Sequence, residues 1–287
     1  MAEQNQQARR DSPAGEAGEQ ARQAEIGIFG GSGFYDLLEN LQEAEIETEY
    51  GRPSDKIMLG EYQGKKISFL ARHGRNHNLP PHQINYRANI MAFKKLGVTR
   101  IIAPCAAGSL QPNIKPGDFV ACAQFVDRTR NRVDSFFNGP QVAHIAGADP
   151  YCPQLSRLAI ETANNLGIKI HPSGTVVVIN GPRFSTRAES RWFSQQGWEV
   201  INMTQYPEAI LAREAEICYT GIALITDFDA GLEGMQDIPP VTIEEVLKVF
   251  KANNEKAKQL ILAMTTAMPE NRECQCASAL AGAIISK

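Results

Sequence analysis

The chain contains no apolar run near the roughly 20 residues needed to span a bilayer, and its amino terminus lacks the basic-then-apolar pattern of a secretory signal. Membrane-spanning and exported classes are therefore not expected. A surplus of one charge is missing as well: 29 Lys and Arg stand against 32 Asp and Glu, a formal net charge of −3, and the basic residues are scattered. Such a surface favours neither nucleic acid nor an anionic membrane as partner. Cysteine is sparse, 6 residues in 287, which suits the thiols of a cytoplasmic protein and not a disulfide framework. No internal repeat is visible. Both common nucleotide fingerprints are missing: Gly30-Gly31-Ser32-Gly33 lacks the G-x-G-x-x-G spacing, and no Gly-Lys-Ser/Thr appears.

What is present is an alternation. Residues 1–24 are rich in Gln, Glu, Ala, Gly and Arg, cannot bury enough surface to offset chain entropy, and read as a disordered tail. From Ile26–Phe29 onward, short apolar runs resembling buried strands recur at Ile67–Ala71, Arg100–Pro104, Phe119–Ala123, Thr175–Ile179, Glu199–Met203 and Gly221–Ile225. Helical patterns lie between them at Ile84–Leu96, Thr186–Gln196, Pro207–Ala215 and Thr242–Ala267, two of them opening on the capping-box spacings Thr186-x-x-Glu189 and Thr242-x-x-Glu245. The expected fold is one α/β domain, residues 25–268, around a mixed sheet flanked by helices, followed by a C-terminal tail over 269–287.

Chemistry-bearing residues gather where these strands run out, the position at which open α/β sheets bind ligands. The run Ala223–Ala230 ends in Thr226-Asp227-Phe228-Asp229, two carboxylates placed either to meet a substrate or to cap a turn. Arg72-His73 follows another run and offers a guanidinium fork and an imidazole to a phosphate. His73 and His77 have the spacing of a helical zinc pair, but Gly74 interrupts the helix and no catalytic Glu accompanies them, so no metal site is expected there. Cys105-Ala106-Ala107-Gly108 would let a ligand approach the backbone closely, with Cys105 reading as a buried small residue more than as a nucleophile. The Gly30–Gly33 cluster reads as a tight turn or an anion cradle, and Asn202-Met203-Thr204 adds a soft apolar side chain and a hydroxyl. Singly each is compatible with packing. Together they suit a ligand with a phosphate, a sugar and a base.

The segments IGIFGGSGFY, LARHGRNH, PCAAGSL, GDFVACAQFVDRT, INGPRFSTRAES, INMTQYPEAILAREAEICY and ALITDFDAG, in this order, resemble the purine nucleoside phosphorylase and 5′-methylthioadenosine phosphorylase family over about Ile26 to Ala267. The resemblance implies that inorganic phosphate attacks the anomeric carbon of a purine nucleoside, releasing the base, without metal or organic cofactor. It also implies a homotrimer or a dimer of trimers. Matched position by position, Ser32, Arg72, His73, Cys105, Ala106 and Thr204 correspond to phosphate-site residues, Met203 lies against the ribose, and Phe184 lies near base or sugar. Asp227 and Asp229 correspond to the base-recognition acids, and Ser185, Ile243, Val246 and Leu247 to specificity positions.

Carboxylate acceptors favour a 6-amino over a 6-oxo purine, and the apolar trio favours a 5′-methylthio over a 5′-hydroxyl group. Methylthioadenosine is accordingly the expected substrate, a broader purine nucleoside or methylthioinosine activity the alternative, and a non-catalytic nucleoside-binding protein the third reading. Three features depart from the family pattern. Cys105 stands where several relatives have Thr, Gln205 and Tyr206 are expected to alter the purine pocket, and Cys274-Gln275-Cys276 reads as two free thiols in a flexible tail, with a strained disulfide or weak metal site as alternatives.

Overall fold

A computed structural model describes residues 23–30, 41–232, 238 and 242–285. Ser32 and most of the amino-terminal tail lie outside the described residues.

Among the described residues nine strands form one mixed sheet: β1 (Ile26–Gly30), β2 (Gln42–Ala44), β3 (Ile57–Tyr62), β4 (Lys65–Ala71), β5 (Arg100–Ser109), β6 (Phe119–Arg128), β8 (Ile170–Ile179), β9 (Val200–Asn202) and β10 (Cys218–Phe228), in the order β10-β6-β8-β9-β5-β1-β4-β3-β2. The strand omitted from that series, β7 (Val142–Ala143), pairs instead with β11 (Ile284–Ile285). Because β10 pairs with β5 in parallel as well as with β6 in antiparallel, five strands close on themselves and the other four extend from β5.

Alternation along the strands fills both faces. In β1, Ile26 and Ile28 point into one apolar cluster and Phe29 into the other. In β4, Ile67 and Phe69 are divided from Leu70 in the same way. Helices α1 (Tyr86–Lys95) and α4 (Gln205–Glu214) cover the first face through Ile90, Phe93, Ala209 and Leu211. The second is covered by α2 (Pro153–Asn165) and α5 (Ile243–Thr266) through Leu155, Ala159, Ala257, Leu260 and Met264. Each large buried side chain contributes roughly 1.5–3 kcal/mol. The capping box of α3 (Arg187–Gln195) forms as its sequence indicates, with Thr186 Oγ1 accepting from the Glu189 amide and Glu189 accepting from that of Thr186. The corresponding side chain of Glu245 lies outside the described residues.

Three boundaries differ from the sequence reading. Helix α2 was not expected, because its buried Leu155, Ala159, Thr162 and Ala163 are interleaved with a long polar face. At the amino terminus order starts before residue 25: Ala24 is fully buried, and the amides of Gln23 and Ala24 donate to the Leu96 carbonyl. The C-terminal segment is a docked part of the domain rather than a flexible tail, because Met268 and Cys276 enter the second core cluster and β11 pairs with β7.

Candidate active site

The carboxyl ends of β4, β9 and β10, with the second half of β5, converge on a cavity of about 570 Å³. Arg72, His73, Cys105, Ala106, Phe184, Ser185, Met203, Thr204, Asp227, Asp229, Ile243, Val246 and Leu247 all line it. The described residues matched to phosphate, sugar, base and specificity positions are thus brought to one concavity. Strand β5 runs on through Ser109, so Cys105 and Ala106 lie within the strand and not beyond its end. The parallel pairing of β5 with β10 sets Gly108 opposite Asp227, at a register shift. A Cβ on Gly108 would lie 3.1 Å from Asp227 Oδ2 and 3.5 Å from Asp229 Cβ, so a bare backbone is what lets both acids gather over β5. Gly181 plays the same part for Met203: its φ is +63°, and a Cβ there would meet Met203 Sδ at 2.5 Å.

At the cationic end, Arg72 is buried and forks its Nε and Nη2 onto the carboxylate of Glu208, with Nη2 to Oε2 at 2.9 Å. Its Nη1 donates to the Pro104 carbonyl, and the guanidinium stacks over Phe29 at 4.7 Å. Burial opposes its charge, but the fully buried Glu208 more than offsets this and raises its pKa. Tyr219 Oη also donates to Glu208, at 2.8 Å. Neither Glu208 nor Tyr219 was marked by the sequence reading. The only available signal was an acid inside the otherwise apolar run Pro207–Ala212.

Burial pushes the His73 imidazole down to about 4, despite the opposing hydrogen bond with Leu79. Nδ1 donates to the Leu79 carbonyl at 2.9 Å, which leaves Nε2 of the neutral ring as an acceptor. His77 stacks on His73 at 4.6 Å across a turn in which Gly74 has φ +73°. The Cys105 thiol is raised by burial and accepts from Asn202 Nδ2 at 3.2 Å and Gln205 Nε2 at 3.5 Å. This is the environment of a packed thiol and not of an activated nucleophile. Gln205 sits behind Cys105, and neither it nor Tyr206 belongs to the cavity wall, contrary to the expectation that they shape the purine pocket.

At the opposite end, Thr226 Oγ1 donates to Asp227 Oδ1 at 2.6 Å. Asp229 is buried with its Oδ2 unpartnered, and burial raises its pKa. Its neighbours are fixed: Gly231 donates to Ser190 Oγ, and Arg183 forks onto Glu189 at 2.8 Å through both Nη atoms, holding the loop that carries Phe184 and Ser185. The mouth is apolar. Ile243 and Leu247 are 60% and 61% exposed, an arrangement that solvent alone does not favour for such large aliphatic side chains.

The model of the phosphorylase superfamily matches residues 25–266 of the chain. The chain belongs to this superfamily. Among phosphorylases, it is 51% identical to the S-methyl-5′-thioadenosine phosphorylase of Thermofilum pendens over 262 residues, covering 91% of this chain and 98% of that protein. It is 46% identical to the purine nucleoside phosphorylase of Streptomyces coelicolor, covering 90% and 95% respectively. A solved methylthioadenosine phosphorylase from an antarctic soil metagenomic library superposes with a TM-score of 0.87 at 41% identity, covering 93% of this chain and 94% of the other. The mixed α/β fold is thus that of the phosphorylases.

Proposed function

We propose that the protein phosphorolyses S-methyl-5′-thioadenosine to adenine and 5-methylthioribose 1-phosphate. The observation that carries the substrate is the polarity of the cavity, with cation and hydroxyl groups at one end, paired acids at another and an aliphatic mouth formed by Ile243, Val246 and Leu247. Relatives named S-methyl-5′-thioadenosine phosphorylase at about half identity support it.

In this reading phosphate binds against Arg72, His73, Thr204 and the open backbone at Ala106, with Ser32 added to this set by the family resemblance. Neutral His73 accepts a hydrogen bond from the P–O–H of hydrogen phosphate at Nε2, and Arg72 supplies fixed charge. As the glycosidic bond breaks, positive charge grows on the ribosyl ring beside Met203 and negative charge on the purine. Burial raises the pKa of Asp229 and so favours a proton on the Asp227/Asp229 pair. That proton serves N7 of the leaving base, while the remaining carboxylate accepts from the 6-amino group. Phosphate is a co-substrate, and the reaction draws on no metal or organic cofactor. The family resemblance supports a homotrimer or dimer of trimers, and the cysteine content supports a cytoplasmic location; among the described residues no helix is long and apolar enough to cross a membrane.

The deciding experiment follows product release from methylthioadenosine, adenosine, methylthioinosine and inosine, each with and without phosphate. Adenine from methylthioadenosine only in the presence of phosphate is the expected result. Preference for inosine or methylthioinosine would overturn the role given to the aspartates, and no turnover of any would return the chain to nucleoside binding.

A further inference from the structure

Four cysteines converge far from the cavity. Cys152 is the N-cap residue of α2, Cys218 opens β10, and Cys274 and Cys276 belong to the C-terminal segment, yet the four sulfurs all lie within 4.8 Å of one another. Cys152, Cys218 and Cys276 are buried, and Cys274 is half-buried. The Cys218 and Cys274 sulfurs are 3.3 Å apart. A tetrahedral Cys₄ zinc site, with Zn–S near 2.3 Å, sets its sulfurs about 3.8 Å from one another, so the four sulfurs are within about an ångström of that spacing. Two disulfides would need two separate close pairs, whereas the four sulfurs gather in one cluster within 4.8 Å.

The surroundings fit a dianionic tetrathiolate. Arg100, the register partner of Cys218 on β5, is buried with its Nε unpartnered, while its Nη2 clasps the Pro269 and Glu270 carbonyls just before the C-x-C pair. Cys152 is held by its amide to the Tyr219 carbonyl, one residue along β10 from Cys218. Gln154 accepts from the Glu273 amide and donates to the Asn271 carbonyl, so the approaching chain is already tied to α2. Two of the four ligands, Cys152 and Cys218, thus stand at ends of regular elements whose backbones are fixed independently of any ion.

We propose that Cys152, Cys218, Cys274 and Cys276 bind a structural zinc ion. Binding releases the thiol protons to solvent and yields a closed four-sulfur shell with no open position for chemistry. The site lies at the opposite end of β10 from Asp227, about 30 Å away at the rise of an extended strand. Its effect is therefore to fasten the C-terminal segment to α2 and β10, and turnover does not depend on it directly.

The test is metal analysis of the full-length protein, purified with thiol reductant and without chelator. About one zinc per chain is expected, falling to below about a tenth in Cys274→Ser/Cys276→Ser. In that double variant kcat/KM at ambient temperature is unchanged, while Tm falls and protease cleaves near residue 270 sooner. Because the double variant can fail to fold, the unaltered protein is also exchanged with cobalt. Sulfur-to-cobalt charge-transfer bands with tetrahedral d–d bands support the site. Cobalt uptake without them, absence of zinc with four titratable thiols, or an intact mass showing the hydrogens of two disulfides missing would each overturn it.

Discussion

The guanidinium of Arg72 and the carboxylate of Glu208, 136 residues apart in sequence, form a buried forked ion pair behind the cavity wall. The pair fixes which face of the guanidinium is left for an incoming phosphate, and it leaves Arg72 charged without an external anion. Removing one partner strands a buried charge, at a cost of about 3–5 kcal/mol. Glu208→Gln and Arg72→Met should therefore each lower Tm sharply, while Arg72→Met/Glu208→Leu regains most of the loss and none of the phosphate dependence. Thermal unfolding and phosphate KM decide this. A single substitution costing under about 1 kcal/mol would remove the pair from the list of structural supports.

Asp227→Asn keeps the size of the side chain but removes a carboxyl that shares the proton meant for the leaving purine. Turnover of the 6-aminopurine nucleoside should fall by about 10²–10⁴, the usual contribution of a positioned acid or base. Circular dichroism and Tm should stay near those of the unaltered protein. Unchanged kcat would take Asp227 out of the mechanism.

These two cases show what the sequence discloses and what it hides. Asp227, Asp229, Arg72 and His73 were legible because apolar β runs end at them, and strand ends in this topology point at the ligand. Glu208 was not, nor was the packing of Gln205 behind Cys105, because the partners Arg72 and Cys105 come 136 and 100 residues earlier, and nothing in a helix pattern reports such a pairing. The same holds for the C-x-C segment. Its neighbours Cys152 and Cys218 become adjacent only after α2 and β10 are packed, so local composition suggested a loose tail where the fold makes a docked one.

His73 links pH to stability. Its pKa drops from 6.5 to about 4 on folding, so between those values the unfolded chain binds a proton that the native ring refuses. Its stabilising contribution is fully present above pH 6.5 and is lost as pH falls toward 4. His73→Gln should flatten this part of the curve in denaturant unfolding followed from pH 7 to 4. A slope identical in both proteins would show that burial does not hold His73 neutral.

The aliphatic mouth should set the preference at the 5′ position. Ile243 and Leu247 expose most of their side chains to the cavity rim, and contact with a thiomethyl group is worth roughly 1–2 kcal/mol there, or about tenfold in kcat/KM. A 5′-hydroxyl gains little from the same wall and keeps its own hydration. Leu247→Ser should therefore lower kcat/KM for methylthioadenosine by about tenfold and leave adenosine nearly unchanged, narrowing the ratio between them. Because Leu247 is exposed on α5, the substitution should cost little stability, which separates pocket chemistry from folding. Equal losses on both substrates would mean that Leu247 acts on the closure of the site and not on the 5′ group, and Ile243→Ser would then be expected to follow the same equal pattern.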